Sequence, residues 1–258
     1  MIPKIIHYTW FSTEPYPAII QTCIESWHKY LPDYQFVLWD SHKIQEIESV
    51  WLRESLAERK WAFAADFVRL YAVYHEGGIY LDTDFLLKRS LDELLSNKIF
   101  IGREHSFHLV GWETCNYLTS HCFGAEKGNQ FIADCLHYYD GRHFIQTSYS
   151  SLPQELKFDM TLLPYIQSEI ARTYGYNWHV SQKTGQALDD GFRIYSDECF
   201  DSKTETERTF GVHLALGSWR ESRIDHETIT LKYKIKWRFV EVLQAILDRL
   251  GYLIVKQS

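Results

Sequence analysis

Residues 61–86, WAFAADFVRLYAVYHEGGIYLDTDFL, force an apolar helix to stop and turn directly into a strand. Ala64, Ala65, Phe67, Val68 and Leu70 surround Asp66 and Arg69, and the run halts at Gly77-Gly78, where the backbone can take angles closed to other residues. A short apolar strand then ends in Asp82-Thr83-Asp84. Alternation along a strand sends Asp82 and Asp84 to one side and Thr83 to the other. Carboxylates held side by side repel, and a divalent cation relieves the repulsion. Oxygen donors of this kind suit Mg²⁺ or Mn²⁺, which commonly bind through one or two carboxylates together with substrate phosphates and water. The stretch predicts a metal and diphosphate site.

Asp66 and Arg69 are spaced to share a helix face. They are either an ion pair on a solvated face, of the kind that contributes little, or a buried polar pair with a task. The apolar flanks leave only a narrow wet stripe and favour the second reading. The combination AADFVRL followed by GGIYLDTD resembles the DXD-containing sugar-nucleotide glycosyltransferases of family 32, a group with yeast mannosyltransferases, bacterial surface-polysaccharide transferases and, distantly, clostridial glucosylating toxins. The similarity covers about the first half of the chain and returns near Val212 to Trp219. A bare DXD is a weak signal, whereas A-x-D-x-x-R placed one helix before GG-x-Y-x-D-x-D is specific. The resemblance implies an α/β fold of GT-A type, a Rossmann-like nucleotide-binding layer with a mixed central sheet.

Composition narrows the function classes. The chain has 258 residues, 45% of them hydrophobic, enough for an enzyme-sized core. Aromatics reach 16%, with nine Trp and seventeen Tyr; such rings suit bases and sugar faces, but most must fill the core. A net charge of −7 argues against a general nucleic-acid binder. The five cysteines, at 23, 115, 122, 135 and 199, form no CxxC pair, so a disulfide framework is not expected. The opening MIPKIIHYTWF is broken by Pro3, Lys4 and His7 and does not read as a signal peptide, and no run approaches about 18 apolar residues. The expectation is a cytoplasmic protein.

Along the chain, residues 2–10 read as a buried strand, 18–30 as a helix and 34–39 as a second strand, the start of an α/β nucleotide-binding layer. Residues 41–59 read as an amphipathic helix. A capped short helix at 90–95, strands at 99–102 and 122–125, and helices at 131–139 and 160–174 follow. Residues 103–121 lack periodicity, and Trp112, Glu113, Asn116 and Tyr117 either line an acceptor-sugar cleft or form an ordinary loop and strand edge. His137 and His143 read as surface residues. Phe192 to Tyr195 reads as a strand. One domain is expected over 1–230. Residues 231–258 read as an amphipathic C-terminal helix behind Lys232, Lys234, Lys236 and Arg238, expected either to pack on the domain or to contact an anionic membrane surface.

From the resemblance come further roles. Trp10 is either a core aromatic or the ring that would stack on the nucleotide base, and Tyr80 would pack near the nucleotide. Asp84 is the first choice for direct metal contact; Asp82 binds metal through water or holds the donor ribose. Asp66 and Arg69 would grip the donor sugar. In the segment Val212 to Trp219, His213 is either a core histidine or a third metal ligand, and Ser218 and Trp219 would donate to the leaving phosphate. The implied reaction moves a hexose from a UDP- or GDP-sugar to a glycan or lipid-linked saccharide, with retention of configuration, in surface polysaccharide synthesis. Its barrier is dominated by charge building on the leaving oxygen, which a cation and Arg69 would stabilise. Two rivals remain. A haloacid-dehalogenase-type phosphatase also ends a strand in DxD, although Leu86 stands where such enzymes carry Thr or Val and the motif lies far from the start of the domain. A non-catalytic nucleotide-sugar binding module is the other.

Overall fold

The computed structural model describes residues 1–110, 113–147, 157–201 and 205–216. In chain order these form β1 (Ile5–Thr9), α1 (Ala18–Tyr30), β2 (Gln35–Trp39), α2 (Val50–Ala57), α3 (Trp61–Glu76), β3 (Gly78–Leu81), β4 (Phe85–Leu87), β5 (Ile99–Val110), β6 (Glu113–Ala125), α4 (Gln130–His137), α5 (Leu163–Thr173), β7 (Gln186–Ala187), β8 (Phe192–Tyr195) and β9 (Gly211–His213). A seven-stranded sheet runs β2-β1-β3-β6-β5-β8-β7, and β4 pairs with β9 in a separate two-stranded sheet. β1 is parallel to β2 and β3, β6 is antiparallel to β3 and β5, and β8 is parallel to β5. This is the α/β architecture with a mixed central sheet expected from the sequence. No helix among the described residues is long and apolar enough to cross a membrane.

Alternation along β3 divides the core between the two sheet faces. Tyr80 joins a large cluster with Trp51, Phe63, Val68, Phe123 and Ile166. Ile79 and Leu81 join a second cluster with Ile6, Trp27, Phe85, Phe100 and Phe200. All of β3 is buried, as suits a strand covered on both faces. The Gly77-Gly78 break is required twice over: φ is +69° and +107°, and a Cβ on Gly78 would sit 2.7 Å from the Ile5 carbonyl oxygen. His7 Nε2 lies 2.8 Å from the Gly77 carbonyl and accepts Trp39 Nε1–H at Nδ1, tying the helix-to-strand turn to β1 and β2.

Two expectations are corrected. The helix expected over 41–59 is confined to Val50–Ala57. Asp40 Oδ1 accepts from the amides of His42 and Lys43 and holds the chain in turns, and Ser49 caps the helix by accepting from Leu52 N. Residues 103–121 are not an irregular loop but the body of the β5–β6 hairpin, whose register shifts around Arg103 hide its period. Within it Asn116 is buried and donates to the Trp178 and Val180 carbonyls, so it lines no cleft; Tyr117 is buried too, its ring 3.9 Å from His108. Glu113 is exposed and pairs with His179, while Trp112 lies outside the described residues, as does the helix expected over 231–258. His137 and His143 are exposed and paired with Asp140 and Glu54.

Candidate active site

The site forms where β3 ends, beside the carboxyl end of its parallel neighbour β1, the edge at which open α/β sheets bind ligands. Asp82 N still bonds the His121 carbonyl across the ladder, and then the chain turns, with Phe85 N donating to the Asp82 carbonyl. Asp82, Thr83 and Asp84 therefore occupy a tight turn rather than an extended strand. The turn delivers the chain to β4, which pairs with β9 so that Phe85 lies opposite His213. Two elements far apart in sequence thus meet at the paired aspartates.

His213 Nε2 lies 3.2 Å from Asp84 Oδ1 and 3.9 Å from Asp82 Oδ2. The three donor atoms lie within 4.8 Å of one another. Donors of a bound divalent ion sit about 2–2.3 Å from it, hence roughly 3 Å from each other. The set of two carboxylates and one imidazole therefore fits such an ion. Burial pushes the Asp84 carboxyl upward, but its bond to His213, the charge of that imidazole and the Leu216 amide outweigh this and hold it below the usual carboxylate range. Burial conversely disfavours charge on His213, and its bond to Asp84, with the charges of Asp84, Asp82 and Asp201, raises it above the ordinary imidazole value. A metal ion must displace that proton.

Behind the aspartates lies a second polar layer. Arg69, almost fully buried, places one nitrogen 3.2 Å from Asp66 Oδ1 and 3.3 Å from Asp82 Oδ1. Its other groups donate to the Ala65 and Ser120 carbonyls. Its guanidinium lies 4.6 Å from the centre of the Tyr80 ring, and the Tyr80 hydroxyl donates to Asp82 Oδ1. Thr9 Oγ1, at the end of β1, lies 3.1 Å from that hydroxyl. Tyr80 thus stands behind Asp82 in the core. Asp66 is pushed up to about 7 by burial, which outweighs the opposing charge of Arg69, and the charge of Asp82 adds to the rise.

Asp66, Arg69, Tyr80, Asp82, Asp84 and His213 are therefore brought together as one assembly. The Asp66–Arg69 pair is buried, not a solvated face. Trp10 follows β1, half-buried, its ring edge-on to Tyr16 at 5.0 Å and its Nε1 donating to the Glu14 carbonyl. Ser218 and Trp219 lie outside the described residues. Thr9, His121 and Asp201 carry no signal in the sequence; a threonine ending a strand, a histidine within one and an aspartate in a turn are common, and only the fold puts them here.

Residues 17–101, spanning α1 to the start of β5, match the family model of the glycosyltransferase sugar-binding region containing a DXD motif. This segment is similar to the DXD glycosyltransferases, and it takes in α3, β3 and the turn after them. Among curated proteins, the chain is similar to inositol phosphoceramide mannosyltransferase 3 of Schizosaccharomyces pombe, 30% identical over 138 residues, 51% of this chain and 35% of that protein. It is also similar to mannosyl phosphorylinositol ceramide synthase SUR1 of Saccharomyces cerevisiae, 32% identical over 107 residues, 40% of this chain and 28% of that one. The chain thus spans about a third of the length of these relatives. Among solved structures, the PaToxG glycosyltransferase is similar with a TM-score of 0.44 and 18% identity, over 67% of this chain and 69% of that one. The DXD of the matched segment is Asp82-Thr83-Asp84, and Asp66 and Arg69 fall within the match.

Proposed function

We propose that the chain transfers a hexose from a nucleotide-diphosphate sugar to a glycan or lipid-linked saccharide, with a divalent cation, Mn²⁺ or Mg²⁺, held by Asp82, Asp84 and His213. The observation that carries this is the meeting of the DXD turn with His213 from β9, in front of a buried Arg69. When bound, the cation would neutralise charge on the leaving diphosphate. Asp84 and His213 offer it their facing atoms, while Asp82 offers Oδ2 because Oδ1 is held by Tyr80 and Arg69. Arg69 is fixed by four oxygen partners and needs no reorganisation to set its positive field behind the aspartates. Asp66, at the same buried pair, is the residue we assign to the hydroxyls of the donor sugar.

The names of the yeast relatives favour mannose as the transferred sugar and a phosphoinositol-bearing lipid as the kind of acceptor. Retention of configuration, and a role in bacterial surface polysaccharide synthesis at the cytoplasmic face of the membrane, are carried by the family resemblance and by the basic amphipathic stretch 231–258. Purified chain incubated with Mn²⁺ and a panel of UDP- and GDP-hexoses tests the proposal. Slow donor hydrolysis, lost in Asp84→Asn with the fold intact, is expected. Binding without turnover would make the chain a binding module, and phosphate release from monoesters a phosphatase. Full activity in Asp84→Asn would overturn the metal assignment.

A further inference from the structure

His213 closes the candidate metal site from a strand of three residues, in a sheet of two strands among the described residues. So short an element fixes a backbone position but leaves a ring free to turn. The ring is held from behind by a second histidine: His121 lies parallel to it, centroids 4.2 Å apart and planes 23° apart. His121 also stacks on Phe85 at 5.6 Å and 26°. A hydrocarbon ring would pack against Phe85 and His213 equally well. The imidazole leaves its Nδ1 buried without a hydrogen-bond partner among the described residues, a cost that a phenyl ring would avoid.

What the imidazole adds is a bond to Asp201, whose Oδ1 lies 3.2 Å from His121 Nε2. Asp201 is itself immobilised. Its Oδ2 accepts the His105 amide at 2.6 Å, and its own amide donates to the Asp197 carbonyl at 2.8 Å. Asp197 in turn is gripped by His105 Nδ1 and Lys183 Nζ. A chain of fixed groups thus runs from the 197–201 turn through β6 to the ring of His213. The His121 carbonyl also accepts the Asp82 amide, so one residue braces ligands on both sides of the site.

We propose that His121, locked by Asp201, is a positioning residue that sets the ring plane of His213 and keeps its Nε2 aimed at Asp84 and Asp82. The assignment rests on the reading that these three residues hold a divalent cation. It is the role that hydrogen-bonded outer partners play for many metal-bound histidines, delivered here through a stacked face.

The test is Mn²⁺ binding to the full chain without donor, read by calorimetry and by the nitrogen coupling of bound Mn²⁺ in pulsed electron paramagnetic resonance. His121→Phe keeps the stack and loses the Asp201 bond. Asp201→Asn replaces one acceptor oxygen by an amide donor, so it serves the His105 amide and His121 together only if the imidazole moves its proton to the buried Nδ1. Each is expected to weaken Mn²⁺ about tenfold and to diminish the single imidazole coupling. Circular dichroism and thermal melting check folding, and Asp201→Asn decides the matter if His121→Phe does not fold. Folded variants with wild-type affinity and coupling would overturn the positioning role alone and leave His121 a packing residue. Two imidazole couplings in the wild type would make His121 a ligand instead. A wild-type chain that takes up no Mn²⁺ would overturn the cation reading and this assignment with it.

Discussion

The Tyr80 hydroxyl donates to Asp82 Oδ1 at 2.9 Å, from inside the core of the sheet that Asp82 terminates. One oxygen of Asp82 is thereby occupied, and the other is left facing His213. In Tyr80→Phe the carboxylate keeps Arg69 but gains a free rotation. We expect donor hydrolysis to fall about tenfold and stability to fall by about 1–2 kcal/mol, the usual worth of one hydrogen bond to a carboxylate that keeps its other partner. Mn²⁺-dependent hydrolysis assays and urea unfolding check both values. Unchanged turnover would show that Asp82 is held without Tyr80.

Arg69 stands between two carboxylates in a buried setting, which fixes what its loss must do. Arg69→Met keeps much of the volume but strands Asp66 beside Asp82, so a destabilisation of about 3–5 kcal/mol is expected. Arg69→Lys restores the charge but not the fork that also reaches the Ala65 and Ser120 carbonyls, and should recover only part of it. Chemical denaturation of both variants at one pH above 7, where Asp66 is ionised in the folded wild type, measures this.

Much of this arrangement was readable from local pattern. The period of Ala18–Tyr30 and the Gly77 stop of α3 agree with the elements found, because in each the sequence around the element settles its own ends. Ser41 to Ser49 misled because its apolar spacing is helical while the Asp40 side chain captures the backbone first. The β5–β6 hairpin was hidden by its register shifts and by residues such as Arg103 and Asn116, polar yet buried through bonds to the distant 176–186 segment. In the site, Asp66, Arg69, Asp82 and Asp84 fall in one continuous stretch. His121 and Asp201 do not, and their roles exist only once β6 and the 197–201 turn are packed against β9.

Asp66 carries a signature in the pH dependence of stability. In the unfolded chain its carboxyl ionises near 3.8, whereas burial holds the folded group protonated up to about 7. Between these values the folded state binds more protons, so stability falls as pH rises from about 4 to 7 and is level above that. Asn at this position cannot ionise and can still accept the Leu163 amide. Relative to wild type, Asp66→Asn should therefore gain stability by a few kcal/mol across that window, at about 1.4 kcal/mol for each pH step of one. It should also lose donor-sugar turnover. Parallel melting curves of the two proteins from pH 4 to 8 decide it, and a constant difference would refute the buried, proton-holding state of Asp66.

Ala215 adopts φ +49°, a left-handed conformation that costs an alanine about 1–2 kcal/mol. The conformation is bound to the site on both sides. Leu214 N donates to the Asp84 carbonyl, and Leu216 N donates to Asp84 Oδ2, each at 3.0 Å. Those bonds fix the carboxylate so that Oδ1 faces His213. Ala215 is exposed, so a larger side chain meets solvent and a substitution acts through the backbone alone. Ala215→Gly relieves the strain but loosens the unfolded chain by about 0.4–1 kcal/mol, so its stability should stay within about 1 kcal/mol of wild type and its Mn²⁺ affinity should be unchanged. Ala215→Val cannot hold the left-handed angles without severe strain. Its Leu216 amide should release Asp84, weakening Mn²⁺ several-fold while the melting temperature moves little. Equal Mn²⁺ affinity in the Gly and Val variants would mean that the β9 exit does not hold Asp84 in place.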